Sequence, residues 1–152
     1  MMVKIPSPLQ KNNLLIKNFK IQIKTKGFSD IHDLSKGAQE IISESKIQSG
    51  QATLFVVGST AGLTTVEYEP GLVQDLQELF EKLAPKDKYY HHEEAWHDGN
   101  GFSHVRASLL KPSLTIPVIG GRMTLGTWQQ IVLIDFDNRP RTREIILQVM
   151  GE

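Results

Sequence analysis

Phe19, Ile21 and Ile23 alternate with Lys20, Gln22 and Lys24, the two-residue period of a strand with one face in water. After Gly27 the period lengthens. Ile31, Leu34, Ala38, Ile41 and Ile42 fall on one helical stripe that Ser29 or Asp30 can cap, with Gly50 closing the unit. Gly37 costs that helix about 1 kcal/mol against alanine. The apolar run Leu54 to Val57 is short and rich in β-formers and predicts a buried strand, and a second strand, Leu63 to Tyr68, follows the small-residue loop Gly58–Gly62. Pro70 suits a first helical position, and Leu72, Val73, Leu76, Leu79, Phe80 and Leu83 form one broad apolar stripe that predicts a core helix ending at Pro85. A further helix is expected from near Asn100, halted by Pro112.

The C-terminal third reads as strands. Leu114, Ile116 and Val118 supply one, turned by Gly120-Gly121, and Arg122 begins the longest β segment. Within it Val132, Ile134 and Phe136 face one way and Ile131 and Leu133 the other, as in a strand covered on both sides. Gly126 invites a bulge just before it, and Glu144 to Met150 is a last strand with mixed faces. Many strands with two to three interspersed helices, lacking regular alternation, imply an α+β fold with a mostly antiparallel sheet or sandwich-like core. Residues 1–13, with Pro6 and Pro8, read as an N-terminal extension to a single domain spanning 14–152.

Composition narrows the functional classes. The length of 152 residues suits one core that buries roughly two thirds of the unfolded surface. Seventeen basic side chains balance 17 acidic ones, so no global field draws in nucleic acid or an anionic membrane. No cysteine is present, which removes thiolate chemistry and fits a reducing, cytoplasmic setting. No segment has the ~20 consecutive apolar residues of a membrane span.

Chemistry-bearing residues concentrate in one stretch. Four of the five histidines, His91, His92, His97 and His104, lie with Asp98, Asn100 and Arg106 in a segment hinged by Gly99 and Gly101. Adjacent His91 and His92 point in different directions in any regular structure, so at most one serves the site. A helix starting near Asn100 would hold His97 and Asp98 at its mouth, where anions are favoured, and project His104 and Arg106 from its first turns. Imidazoles and a carboxylate also suit zinc, although the H-x6-H spacing matches no common local signature. Ordinary exposed or core imidazoles are the other reading. The loop Gly58-Ser-Thr-Ala-Gly62 lacks the serine of a nucleophile elbow and leads into a strand, which leaves an anion-binding turn with Ser59 and Thr60 or a plain turn. Glu67 shares a strand face with Leu63 and Thr65, where a covered carboxylate needs a metal, a proton or an arginine; an edge-strand glutamate in water needs none. Thr127, Trp128 and Gln129 can line a pocket, unless Trp128 is a core anchor, and Arg139 and Arg141 suit a phosphate or a partner's carboxylate.

Taken together, Gly58-Ser-Thr-Ala-Gly-Leu-Thr with Glu67 following, the His/Asp/Gly/Asn run to His104-Val-Arg-Ala-Ser-Leu-Leu, Leu125-Gly-Thr-Trp-Gln and Arg139-Pro-Arg141 resemble the YjbQ family over nearly everything from about Gly27 to Glu152. The resemblance implies a compact homotrimer with a polar site near subunit contacts, a divalent metal such as zinc or magnesium, no nucleotide cofactor, and weak thiamine-phosphate synthase activity with an unsettled physiological substrate. His97, Asp98, Asn100, His104, Glu67, Trp128 and Gln129 match the family pattern, whereas Gly58, Val66 and Phe102 stand where relatives carry histidine, asparagine and histidine. On this reading His104, Asp98, Asn100 and Glu67 are catalytic, and His97, His104 and Asp98 are metal ligands. Ser59, Thr60, Arg106, Thr127, Trp128, Gln129 and Arg139 hold a small phosphorylated metabolite. A metal-dependent hydrolase of such metabolites and a non-catalytic anion-binding trimer are the alternatives.

Overall fold

The alternating N-terminal segment forms β1 (Leu15–Thr25) in the computed structural model, which describes residues 14–152, so the extension expected at 1–13 lies outside the described residues. In chain order there follow β2 (Asp30–Asp33), α1 (Ser35–Ser45), β3 (Ser49–Val57), β4 (Ala61–Val66), α2 (Pro70–Leu83), α3 (Glu93–Trp96), α4 (Gly101–Leu109), β5 (Ser113–Ile119), β6 (Arg122–Met123), β7 (Gln130–Asp135) and β8 (Arg141–Gly151). The strands make a five-stranded sheet in the order β1-β8-β3-β5-β6 and a three-stranded sheet in the order β2-β7-β4, with every named pairing antiparallel. The architecture is α+β, as the pattern of elements implied.

Three layers follow from where the apolar side chains go. Ala52, Leu54 and Val56 of β3, Ile145, Leu147 and Val149 of β8, Leu63 of β4 and Ile131 and Leu133 of β7 pack between the two sheets, joined by Ala38 and Ile42 of α1. Val132, Ile134 and Phe136 face the other way and meet Phe80 of α2 and Ala107 of α4. β7 is therefore buried on both faces, and its two apolar stripes belong to two different cores. Phe80 and Phe136 contact edge to face with centroids 4.7 Å apart.

Several boundaries differ from the sequence reading. Residues 30–33 pair with β7 instead of opening a helix, because Ile31 is needed in the second core and the strand register Ile31↔Ile134 delivers it there. Gly50 lies inside β3, where an added Cβ would stand 2.0 Å from the Met150 carbonyl oxygen, so it serves close strand contact and not a stop. The run 54–57 buries one face only; Phe55 and Val57 are exposed on the outside of the large sheet. The β segment expected from Arg122 is broken into β6 and β7 by the loop 124–129, and the longest strands are β1 and β8. In α2 only Phe80 is fully buried; Leu79 and Leu83 are exposed, and the Glu69 carboxylate caps the helix by accepting from the Gly71 and Leu72 amides.

Candidate functional site

At one end of the layer between the sheets, apolar packing gives way to charge. Asp135 and Asp137 continue the inward parity of Ile131 and Leu133, and Arg143 continues that of Ile145 and Leu147. Both carboxylates are wholly buried and Arg143 is 7% exposed. Arg143 donates Nε to Asp135 Oδ2 at 2.7 Å and Nη2 to Asp135 Oδ1, Thr60 Oγ1 and Asp137 Oδ2. Thr60 Oγ1 donates a hydrogen bond to Asp137 Oδ2 at 2.8 Å, Arg141 Nε donates to the same oxygen at 2.8 Å, and Thr25 Oγ1 donates to Asp135. Buried charge is tolerated because each group finds an opposite charge or a donor. The exception is Asp137 Oδ1, a buried oxygen with no hydrogen-bond partner. Burial pushes the Asp137 carboxyl up, but hydrogen bonds from Arg141 and Thr60 and the charges of Arg141 and Arg143 outweigh it and hold it below the ordinary carboxylate value.

This network forms one wall of a cavity of about 360 Å³, within the range of small-molecule sites. The loop Gly58-Ser59-Thr60 forms a second wall, and Asn100, which precedes α4, and His104, one turn further along, form a third together with Asp98. His104 is partly buried, and its ring lies 4.5 Å from that of His92. Burial lowers the His104 pKa and the nearby His92 lowers it further; the negative charges of Asp98 and Asp137 and contact with the Ser59 backbone oppose this without cancelling it. The imidazole is thus mostly neutral near pH 7 and able to accept a proton. Asn100 is buried and ties the helix start to the β7–β8 turn, its Oδ1 accepting from Ser103 Oγ and from the Asn138 amide. Arg139 and Arg141 border an adjoining hollow of about 290 Å³ with Asp98 and Asn138.

The sequence-predicted residues therefore divide. Ser59, Thr60, Asp98, Asn100 and His104 line the cavity, and Arg139 lies beside it. Arg106 does not: at 3% exposure it donates Nε to the Ala84 carbonyl, Nη1 to Ser29 Oγ and Nη2 to Glu81, and its guanidinium stacks over Phe102 at 4.9 Å. Two residues from His104 on a helix, it points to the opposite flank and locks α4 to α2. Phe102 lies on that same flank, stacked with Phe28 and away from the His104 wall.

His97 ends α3 in the left-handed conformation, φ 51°, and is exposed; it is His92 that meets His104, with Nε2 3.7 Å from Asp98 Oδ1. Among the described residues no three His, Asp or Glu side chains converge as a metal-holding group, so His97, His104 and Asp98 do not assemble the ligand set expected of them. The mouth of α4, expected to receive an anion, is filled by the chain itself: Glu93 accepts from the Gly99 amide at 2.8 Å and from the Gly101 amide at 3.3 Å.

Glu67 lies exposed beyond the end of β4, and Thr127, Trp128 and Gln129 are exposed on the loop before β7. Trp128 is 70% exposed, neither core anchor nor pocket wall, while Gln129 donates to Thr65 Oγ1 and accepts from the Gly126 amide. The register Ala61↔Asp135 and Val66↔Gln130 sets this group at the far end of the small sheet from the cavity. Asp135, Asp137 and Arg143 were not singled out from sequence. Their signal was present as Asp135-x-Asp137 and Arg141-x-Arg143, charges of opposite sign at two-residue spacing on faces otherwise apolar.

Known proteins share this chain's pattern. A sequence model described as UPF0047 protein YjbQ-like matches residues 19–152. The UPF0047 protein MJ1081 of Methanocaldococcus jannaschii is 36% identical over 135 residues, covering 88% of this chain and 94% of its own length. UPF0047 protein YugU of Bacillus subtilis is 33% identical over 133 residues, covering 86% of this chain and 97% of its own. Among solved structures, a YbjQ-like protein of unknown function from Sulfolobus solfataricus superposes with a TM-score of 0.87 at 26% identity, covering 92% of this chain and 100% of that one. A hypothetical protein from Aeropyrum pernix K1 superposes with a TM-score of 0.83 at 29% identity, covering 90% and 99%. By sequence and by fold, the chain belongs to the YjbQ-like UPF0047 family.

Proposed function

We propose that the cavity binds a small phosphorylated metabolite and performs acid–base chemistry on it through His104, with slow joining of a pyrimidine pyrophosphate to a thiazole phosphate as one reaction it supports. The observation that carries this reading is that His104 and two arginines, Arg141 and Arg143, line one small cavity. Arg141 engages the protein through Nε, and Arg143 through Nε and Nη2, so the remaining N–H groups are available to phosphate oxygens. Loss of pyrophosphate from a pyrimidine leaves a cationic carbon, and such a step needs the leaving charge neutralised by fixed donors. Asp98 and Asp137 supply negative potential beside His104 that favours its protonated form once it has taken a proton.

The test is incubation of the purified protein, free of the host's own synthase, with the two precursors. Slow formation of thiamine phosphate, lost in His104→Ala and Arg141→Ala, is expected; no product from the unaltered protein would remove the synthase reading. A non-catalytic anion-binding role is the second reading, favoured by the two guanidinium groups, Arg141 and Arg143, in the lining of the cavity. It is distinguished by phosphate raising the melting temperature without any turnover. Metal-dependent hydrolysis, with zinc or magnesium, would require ligands beyond those one chain brings together, and removal of metal would then abolish phosphatase activity.

A trimer fits the exposed outer face of the large sheet, where Ile16, Phe55, Val57 and Ile119 stand in water. Sedimentation equilibrium at several concentrations reads the assembly directly.

A further inference from the structure

Arg106, turned away from His104, stands beside a hollow of its own. A space of about 280 Å³ opens between α2, α4 and the turn that joins β1 to β2, lined by Phe28, Ser29, Gln77, Glu81, Lys86 and Arg106. None of these six lines the His104 cavity. Gln77 and Glu81 are one turn apart on α2 and so face the same space. A guanidinium carries five N–H groups, and the protein accepts three from Arg106, at the Ala84 carbonyl, Ser29 Oγ and Glu81. One N–H on Nη1 and one on Nη2 are left without an acceptor among the described residues, on a side chain only 3% exposed. Donors on a buried cation are costly to leave unmade.

The rim is unusual too. Gly27, Phe28 and Ser29 have φ of 79°, 54° and 64°, three left-handed residues in succession, and a bulky residue such as Phe28 is strained there. The Phe28 amide is fixed to the Asp137 carbonyl at 2.8 Å, and the ring is left 54% exposed at the edge of the hollow. Strain of this kind persists where the surrounding structure enforces it, and ligand clamps are one such place. Burial raises the Glu81 carboxyl, but the Lys86 amide and Arg106 outweigh it and hold it below the ordinary carboxylate value, so Glu81 is ionised.

We infer that this hollow binds a small organic monocarboxylate, whose oxygens take the two remaining N–H groups of Arg106 and whose apolar body lies against Phe28. Charge selects the class. Arg106 and Lys86 bring two positive charges and Glu81 one negative, so a single negative charge completes the lining. A phosphate monoester, with about −1.5 to −2 charges at pH 7, would exceed that and repel Glu81. Guanidinium and carboxylate also match as planar forks. The site lies apart from the cavity of the proposed function and stands or falls without it.

The experiment titrates nitrogen-labelled full-length protein with benzoate, benzamide, acetate and methyl phosphate, and follows the Arg106 Nε–H, the Gln77 side-chain amide and the Phe28 backbone amide. Benzoate is expected to shift all three saturably. It should bind at least about tenfold more tightly than benzamide, which keeps the ring without the charge, and about threefold more tightly than acetate, which keeps the charge without the ring. Lys86→Glu, at the exposed rim, should weaken benzoate about threefold, and Phe28→Gly should reduce it to the affinity of acetate. Glycine is at ease in the left-handed conformation, so weaker binding by Phe28→Gly reports the lost ring and not a lost fold. Benzamide binding as tightly as benzoate overturns the anion recognition, and methyl phosphate binding more tightly than benzoate at these signals overturns the carboxylate class. Silence of all three signals, shifts confined to Ser59, Asn100 and His104, or benzoate affinity unchanged in both variants overturns the site itself.

Discussion

The two ends of the small sheet carry similar polar residues and treat them differently. At the Ala61–Asp135 end, Thr60, Asp135, Asp137, Arg141 and Arg143 are drawn into one hydrogen-bonded network around a cavity. At the Val66–Gln130 end, Glu67, Thr127 and Trp128 stand in water, and Gln129 closes its own loop. Residue type is not what separates them. The first end is roofed by α4 and by the start of β8, which exclude water and force charges to find each other; the second has no such cover among the described residues. Chemistry that depends on perturbed groups belongs at the first end.

Variants at the two ends should separate accordingly. Arg143→Met leaves Asp135 and Asp137 buried without their shared cation and should cost about 3–5 kcal/mol in urea denaturation; a loss below 1 kcal/mol would mean that water already reaches the network. Gly58→Ala should cost about 1–3 kcal/mol, since its φ of 137° is strained for any side chain. The new Cβ would also lie 3.0 Å from Arg143 Nη1. Arg141→Ala should weaken inorganic phosphate binding about tenfold by calorimetry, roughly 1.4 kcal/mol, while Trp128→Ala leaves it unchanged.

Acidification should act on the first end through two groups. Asp137 has a folded pKa below its ordinary 3.8, so its contribution is complete above that value and is lost as pH falls beneath it. His104 also has a lowered folded pKa, so the unfolded chain takes the proton first as pH drops below 6.5 and stability declines there too. Carbon-detected titration should find His104 below 6.5, and His92→Ala, which removes one of the lowering influences, should move it upward. The smallest effect is expected for Trp128→Ala on monomer stability, within about 0.5 kcal/mol; a larger loss would show that this end is covered after all.

How far the site could be read in advance is visible residue by residue. The period-two alternation of β1 and the two apolar stripes of β7 were explicit because burial on one or both sides writes itself into residue order. His104, Asn100 and Asp98 were found because they are close in sequence and a helix keeps such residues close in space. Arg106 was misassigned although its two-residue offset from His104 already placed it on another flank of the helix. His97 was preferred to His92 because the left-handed turn at His97, which redirects the chain, leaves no mark in a polar sequence. Trp128 and Glu67 were grouped with the cavity by shared motif, and the strand register separates them from it.

Local order in the sequence thus determined most of the elements, though not β2 or the break between β6 and β7, together with the two-sided burial of β7 and the α4 part of the cavity, since each depends on periodicities of a few residues. Tertiary structure alone decided which charges meet. Asp135 and Arg143 are joined across sheets whose register comes from the whole set of strand pairings, and Glu93 reaches the mouth of α4 only after the chain turns back on itself. A charge's partner is chosen by distance in space, and no property of its neighbours in the chain encodes that distance.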